Sequence, residues 1–85
     1  MAKVEVYSTP FCPYCIRAKH YLDSENIEYT NIDVFRQPEL REEMTERSNG
    51  GTTVPQIFIN DQAIGGCDEM LQLARAGELY ELLQQ

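Results

Sequence analysis

The chain has 85 residues, with seven Lys or Arg, fourteen Asp or Glu and three Cys, for a formal net charge of −7. A chain this short suits one domain with a thin core, burying only about 60% of the surface exposed when unfolded, and its acidic balance argues against nucleic acid, whose phosphates need a basic face. No run approaches the ~18 consecutive apolar residues of a membrane span, and the start alternates like a strand rather than a signal peptide, so a cytoplasmic protein without membrane contact is expected.

Lys3 to Ser8 alternates polar and apolar residues and is rich in β-formers, which predicts a strand. Thr9-Pro10-Phe11 is a turn, because Pro10 cannot continue a ladder. Pro13 then stands at a first helical position with Cys12 as the cap, and the helix runs from Pro13 to Ser24. Cys15, Ala18 and Leu22 fall on one stripe of it. Ile27 to Val34 alternates again as a second strand, so strand, helix and strand form a right-handed parallel crossover.

A second helix spans Pro38 to Ser48, with Leu40 and Met44 on its inner face, and Asn49-Gly50-Gly51 ends it. Gln56 to Ile59 is a strand, Asn60-Asp61 a tight turn, and Gln62 to Gly65 the returning antiparallel strand. A third helix spans Cys67 to Ala76, its apolar side supplied by Met70, Leu71 and Ala74. Gly77 interrupts it, leaving a last turn or two over Glu78 to Leu83. The expected architecture is an α/β thioredoxin fold, a four-stranded mixed sheet flanked by three helices, as one domain over residues 1–85.

The cysteines read as chemistry rather than as staples. Cys12 and Cys15 lie three positions apart, and a bridge across so short a loop removes little entropy from the unfolded chain. With Cys12 at a helix cap and Pro13 lacking an N–H, the amides of Tyr14 and Cys15 point back at the Cys12 sulfur. The helix dipole adds partial positive charge there. Helix N-termini and C-x-x-C motifs favour the thiolate, so Cys12 is the attacking sulfur and Cys15, one turn in, the resolving one. Arg17, Lys19 and His20 leave the site less negative than the whole chain. The alternative of two buried apolar fillers fits poorly with cysteines bracketing Pro-Tyr at a strand-to-helix turn. A zinc site needs four ligands; the candidates are Cys12, Cys15, Cys67 and His20, and His20 lies outside the usual spacing, so no metal is expected.

Two further segments carry weaker signals. In Thr52-Thr53-Val54-Pro55 the proline either merely begins an edge strand or follows a cis bond. In the second case the Val54 N–H and C=O are free to pair with an extended peptide. In Gly65-Gly66-Cys67-Asp68 two glycines let a carboxylate approach backbone N–H groups, with Asp68 able to accept from an amine. The plainer reading is a glycine turn with Asp68 complementing the helix dipole. Cys67 reads as a half-buried helix-start residue rather than a third redox thiol.

Together, Cys12-Pro13-Tyr14-Cys15, Thr53-Val54-Pro55 followed by Gln56 to Ile59, and Gly65-Gly66-Cys67-Asp68 resemble the glutaredoxin family over essentially the whole chain, and in particular the small bacterial dithiol glutaredoxins. The resemblance implies a glutathione-disulfide oxidoreductase that reduces protein disulfides and glutathione mixed disulfides through Cys12 and Cys15. It implies glutathione as co-substrate with no tightly bound cofactor, disulfide-containing or glutathionylated proteins as partners, and a monomer. Tyr14 would line the glutathione site, Val54 before a cis Pro55 would pair with its cysteinyl backbone, and Thr53 would sit beside it. The N–H groups of Cys67 and Asp68, reached past Gly66, would hold the γ-glutamyl carboxylate, and the Asp68 side chain the amine.

This chain departs from the family at Thr9, where a Lys or Arg is usual, so the Cys12 thiolate is expected to be less favoured than in relatives that keep the base. Arg47 or Arg41 would have to meet the glycyl carboxylate. Two other functions compete. A donor reduced by thioredoxin reductase would have little use for the Gly65 to Asp68 segment. An iron–sulfur carrier with Cys12 and glutathione as ligands in a dimer is disfavoured by the Pro13-Tyr14-Cys15 interior.

Overall fold

A computed structural model describes residues 2–85. In chain order its elements are β1 (Val4–Ser8), α1 (Pro13–Ser24), β2 (Thr30–Asp33), α2 (Glu39–Arg47), β3 (Gln56–Ile59), β4 (Gln62–Gly65), α3 (Cys67–Arg75) and α4 (Glu78–Leu83). The strands form one sheet in the order β2-β1-β3-β4, with β1 and β2 parallel and the other neighbours antiparallel. This is the expected thioredoxin fold, with one more helix than the sequence suggested.

Strand alternation divides the core between the two faces of the sheet. Val4 and Val6 of β1 and Ile57 and Ile59 of β3 pack with Ala18 and Leu22 of α1, Cys67 and Met70 of α3, and Leu79 of α4. On the other face Tyr7 and Phe58 pack with Val34 and Met44 of α2, their rings edge to face at 5.4 Å. The predicted stripe of α1 is confirmed, since Cys15, Ala18 and Leu22 are its buried residues.

Several boundaries differ from expectation, two of them for a clear local reason. The strand expected over Ile27 to Val34 pairs only over Thr30–Asp33. Asn26 takes a left-handed φ of 57° and the Ile27 amide bonds back to Leu22 O at 2.9 Å, so this stretch first closes α1. Glu5 faces Thr30, so in this parallel register Tyr29 falls opposite Val4, the first residue of β1, and Ile27 and Glu28 lie beyond its end. The turn or two after Gly77 is a separate fourth helix. Gly77 breaks the path at φ 77°, Leu79 is then fully buried, and the Asn60 side-chain amide donates to Leu82 O and Gln85 O, each at 3.2 Å. Both ends of α2 and the C-terminal end of α3 fall one residue inside the predicted ones, and β1 begins at Val4 rather than Lys3. Asn60 and Asp61, both at positive φ, make the predicted tight hairpin turn.

Helix α2 is tied to the sheet by Arg47. Its guanidinium lies over the Phe58 ring at 4.2 Å, pairs with both Glu5 carboxylate oxygens at 2.9 and 3.3 Å, and donates to the Tyr7 hydroxyl at 2.7 Å. It also reaches Asp61 at 3.2 Å, while the Tyr7 hydroxyl donates onward to Glu43. No helix among the described residues is long and apolar enough to cross a membrane.

Candidate active site

Cys12 sits where the chain leaves β1 and enters α1. Its backbone is extended (φ −95°, ψ 114°), as a helix cap requires, and Pro13 opens the helix without an orphaned donor. The Cys15 amide donates to Cys12 Sγ at 3.2 Å. The half-buried Cys12 therefore has an N–H and the positive end of a helix directed at its sulfur.

Cys15 has the opposite setting. It is fully buried, and burial, then the hydrogen bond with Cys12, push its thiol well above the usual range, against weaker opposition from the Thr9 backbone. All three cysteines are free thiols. The site thus offers one reachable sulfur and, one helical turn away, a sealed and protonated one.

The segment before β3 supplies the second wall. The Val54–Pro55 peptide is cis, and the Cys12 thiol donates to Val54 O at 3.6 Å. Two side chains brace this segment. The buried Gln56 amide donates to Thr53 O at 3.0 Å, and Arg41 of α2 donates to Thr52 O at 2.9 Å. Thr53 is itself exposed.

The start of α3 closes the third side. Gly66 is the cap, and Glu69 reaches back to accept its N–H at 2.7 Å. A side chain at Gly66 would bring its Cβ within 3.2 Å of Pro55 O, so glycine permits the first turn of α3 to lie against the Val54-Pro55 backbone. Cys67 is buried and its thiol is pushed up, by burial first, with Arg17 opposing. Asp68 is exposed in the same turn, and Tyr14 stands exposed in the first turn of α1.

Cys12, Val54, Pro55, Gly66 and Cys67 therefore meet at one end of the sheet, with Tyr14, Thr53 and Asp68 on the solvent side of the same elements. Of the two arginines considered for a carboxylate, Arg47 is held by Glu5, Tyr7 and Asp61, whereas the exposed Arg41 lies beside the Thr52–Val54 segment. Sequence reasoning missed the bracing by Gln56 and Glu69. Glu69 had a visible signal, a glycine cap followed three residues on by Glu; Gln56 looked like any polar strand residue.

Comparison with known proteins gives a consistent result. The sequence model of the glutaredoxin family matches residues 4–64. A glutaredoxin of Pseudomonas aeruginosa is 46% identical over 83 residues, covering 98% of each chain. Glutaredoxin 3 of Escherichia coli is 48% identical over 84 residues, covering 99% of this chain and all of the relative. Among solved structures, the buckwheat glutaredoxin–glutathione complex has a TM-score of 0.87 at 30% identity, covering 95% of this chain and 76% of that one. The glutaredoxin of Brucella melitensis has a TM-score of 0.83 at 47% identity, covering 98% and 89%.

Proposed function

The chain belongs to the glutaredoxin family of thiol–disulfide oxidoreductases, and from that premise we propose that it is a single-domain, glutathione-dependent enzyme with Cys12 as nucleophile and Cys15 as resolving thiol. The observation that carries the reading is the unequal setting of the two sulfurs. Cys12 Sγ is reachable and receives the Cys15 amide at 3.2 Å, while Cys15 is sealed and held protonated.

With a glutathionylated protein, the Cys12 thiolate attacks the glutathione sulfur. A Cys12–glutathione disulfide forms and the protein thiolate leaves, taking a proton from solvent. A second glutathione thiolate attacks the glutathione sulfur of that disulfide, giving oxidised glutathione and regenerating the Cys12 thiolate. With a protein disulfide, Cys12 attacks one sulfur and Cys15 then displaces it, leaving a Cys12–Cys15 disulfide that two glutathiones reduce. The hydrogen bond and charge of Cys12 are among the influences that hold the Cys15 proton. Both fade once Cys12 is in a mixed disulfide, so Cys15 ionises more readily when it has to attack.

Glutathione is assigned to the groove between α1, the Val54 segment and α3. Val54 pairs with its cysteinyl backbone, with Thr53 and Pro55 beside it and Tyr14 lining the site. The Cys67 and Asp68 N–H groups take the γ-glutamyl carboxylate, with Gly66 permitting the approach, and Asp68 takes the amine. Arg41, exposed beside Thr52, meets the glycyl carboxylate. The buckwheat complex with glutathione, at a TM-score of 0.87, supports this assignment.

Turnover of a glutathione mixed disulfide by wild type, Cys12→Ser and Cys15→Ser tests the reading. The first variant is expected to be inactive and the second active on this substrate but not on protein disulfides. Activity surviving in Cys12→Ser would refute the nucleophile.

A further inference from the structure

Phe11 and Phe35 are 82% and 62% exposed, and they meet edge to face with centroids 6.2 Å apart and planes at 87°. Neither belongs to the two core clusters. Large apolar side chains exposed as a pair mark contact surfaces more often than single ones do. Their place in the fold is specific. Phe11 is the residue before Cys12, and Phe35 lies just past the end of β2. In the strand order β2-β1-β3-β4, Phe35 is on the side of Cys12 away from Val54, Gly66 and Cys67.

The platform is built rather than loose. The amides of Phe35 and Arg36 both donate to Asp33 Oδ1, at 2.9 and 3.1 Å, fixing the turn that presents Phe35. Arg36 pairs with the same carboxyl group at 3.6 Å, so these two charges beside Phe35 in the chain offset each other. Glutathione, with two carboxylates, an amine and no large apolar side chain, offers nothing that these rings would bind. A protein disulfide does, because a chain attacked at its cysteine sulfur extends away from Cys12 on both sides of that cysteine.

We propose that Phe11 and Phe35 form a docking platform for an aromatic or branched aliphatic side chain flanking the reacting cysteine of a protein disulfide substrate. The platform is continuous with the sulfur through the Phe11–Cys12 bond, and the proposal rests on Cys12 as the attacking residue.

The test uses symmetric disulfide dimers of a short peptide whose cysteine is flanked by Phe, or in a second peptide by Ser, with glutathione as reductant. The glutathione–cysteamine mixed disulfide serves as a small control substrate. Wild type is expected to reduce the Phe-flanked dimer with a kcat/KM about tenfold above that of the Ser-flanked one, the difference lying in KM. Phe35→Ser should abolish that preference while turning over the control as wild type does, and Phe11→Ser should abolish the preference as well. Both rings are exposed, so neither change removes core packing. No preference in wild type, or a preference that survives in Phe35→Ser, overturns the platform. Failure of wild type on the control substrate overturns the Cys12 reading on which it rests.

Discussion

Cys12, Cys15 and Cys67 carry the same side chain, and their settings separate them, burial first. Cys12 is half-buried at a helix cap, while Cys15 and Cys67 are sealed and their thiols pushed up, in both cases by burial first. In the unfolded chain all three ionise near the ordinary cysteine value of about 8.5. Below that pH, Cys15 and Cys67 are protonated in both states. Above it the unfolded chain sheds protons that the folded chain keeps, so stability falls as pH rises past the unfolded value. Urea unfolding at about pH 7.5 and about pH 9.5 should show this decline, with a visibly smaller one in Cys67→Ala. Equal stability at the two pH values would contradict it. Gly66 is a second residue with a sharp expectation. In Gly66→Ala the new Cβ meets Pro55 O at 3.2 Å, so α3 must back away from the Val54 segment. A raised KM for glutathione with a nearly unchanged kcat is expected from steady-state kinetics; an unchanged KM would remove α3 from the binding groove.

At the level of elements, α2 is the one whose attachment was least legible in the sequence. Its inner face was readable from Leu40 and Met44, and Met44 is indeed fully buried. Arg47, however, looked like a surface residue or a candidate ligand for glutathione. Only the fold brings Glu5 and Tyr7 of β1, Phe58 of β3 and Asp61 of the hairpin turn around its guanidinium. The ion pair with Glu5 is partly shielded, the two side chains being 24% and 14% exposed. Arg47→Ala should therefore cost about 1–3 kcal/mol, between the values for exposed and buried pairs. Arg47→Lys should recover only part of it, lacking the planar fork. Urea midpoints of the two variants check this, and a neutral Arg47→Ala would show that α2 is held by its apolar contacts alone. The other elements were readable because their signals are local. Pro13 after Cys12 starts α1, and the Asn60-Asp61 pair makes the hairpin. Where a boundary depended on pairing, as for Ile27 to Tyr29, alternation overstated the strand, because it cannot show where the neighbouring strand ends.

Over the whole molecule, the sheet order brings three separated segments to one end. The Cys12 cap follows β1, Val54-Pro55 precedes β3, and Gly66-Cys67 follows β4. The spacing of the cysteines and glycines was visible along the chain, so most of the candidate groove could be named in advance. The opposite flank could not. Phe11 and Phe35 are 24 positions apart and become neighbours only because β1 and β2 run parallel. On the proposed reading, a polar groove for glutathione lies on one side of a single reachable sulfur and an apolar platform for protein on the other. Everything in it depends on which sulfur carries the glutathionyl group. The direct measurement is to treat the Cys15→Ser protein with a glutathione mixed disulfide, digest it and locate the adduct by mass spectrometry. Attack by Cys12 predicts one glutathionyl group, on the peptide containing Cys12, that free glutathione removes; a group on the Cys67 peptide, or none, would contradict it.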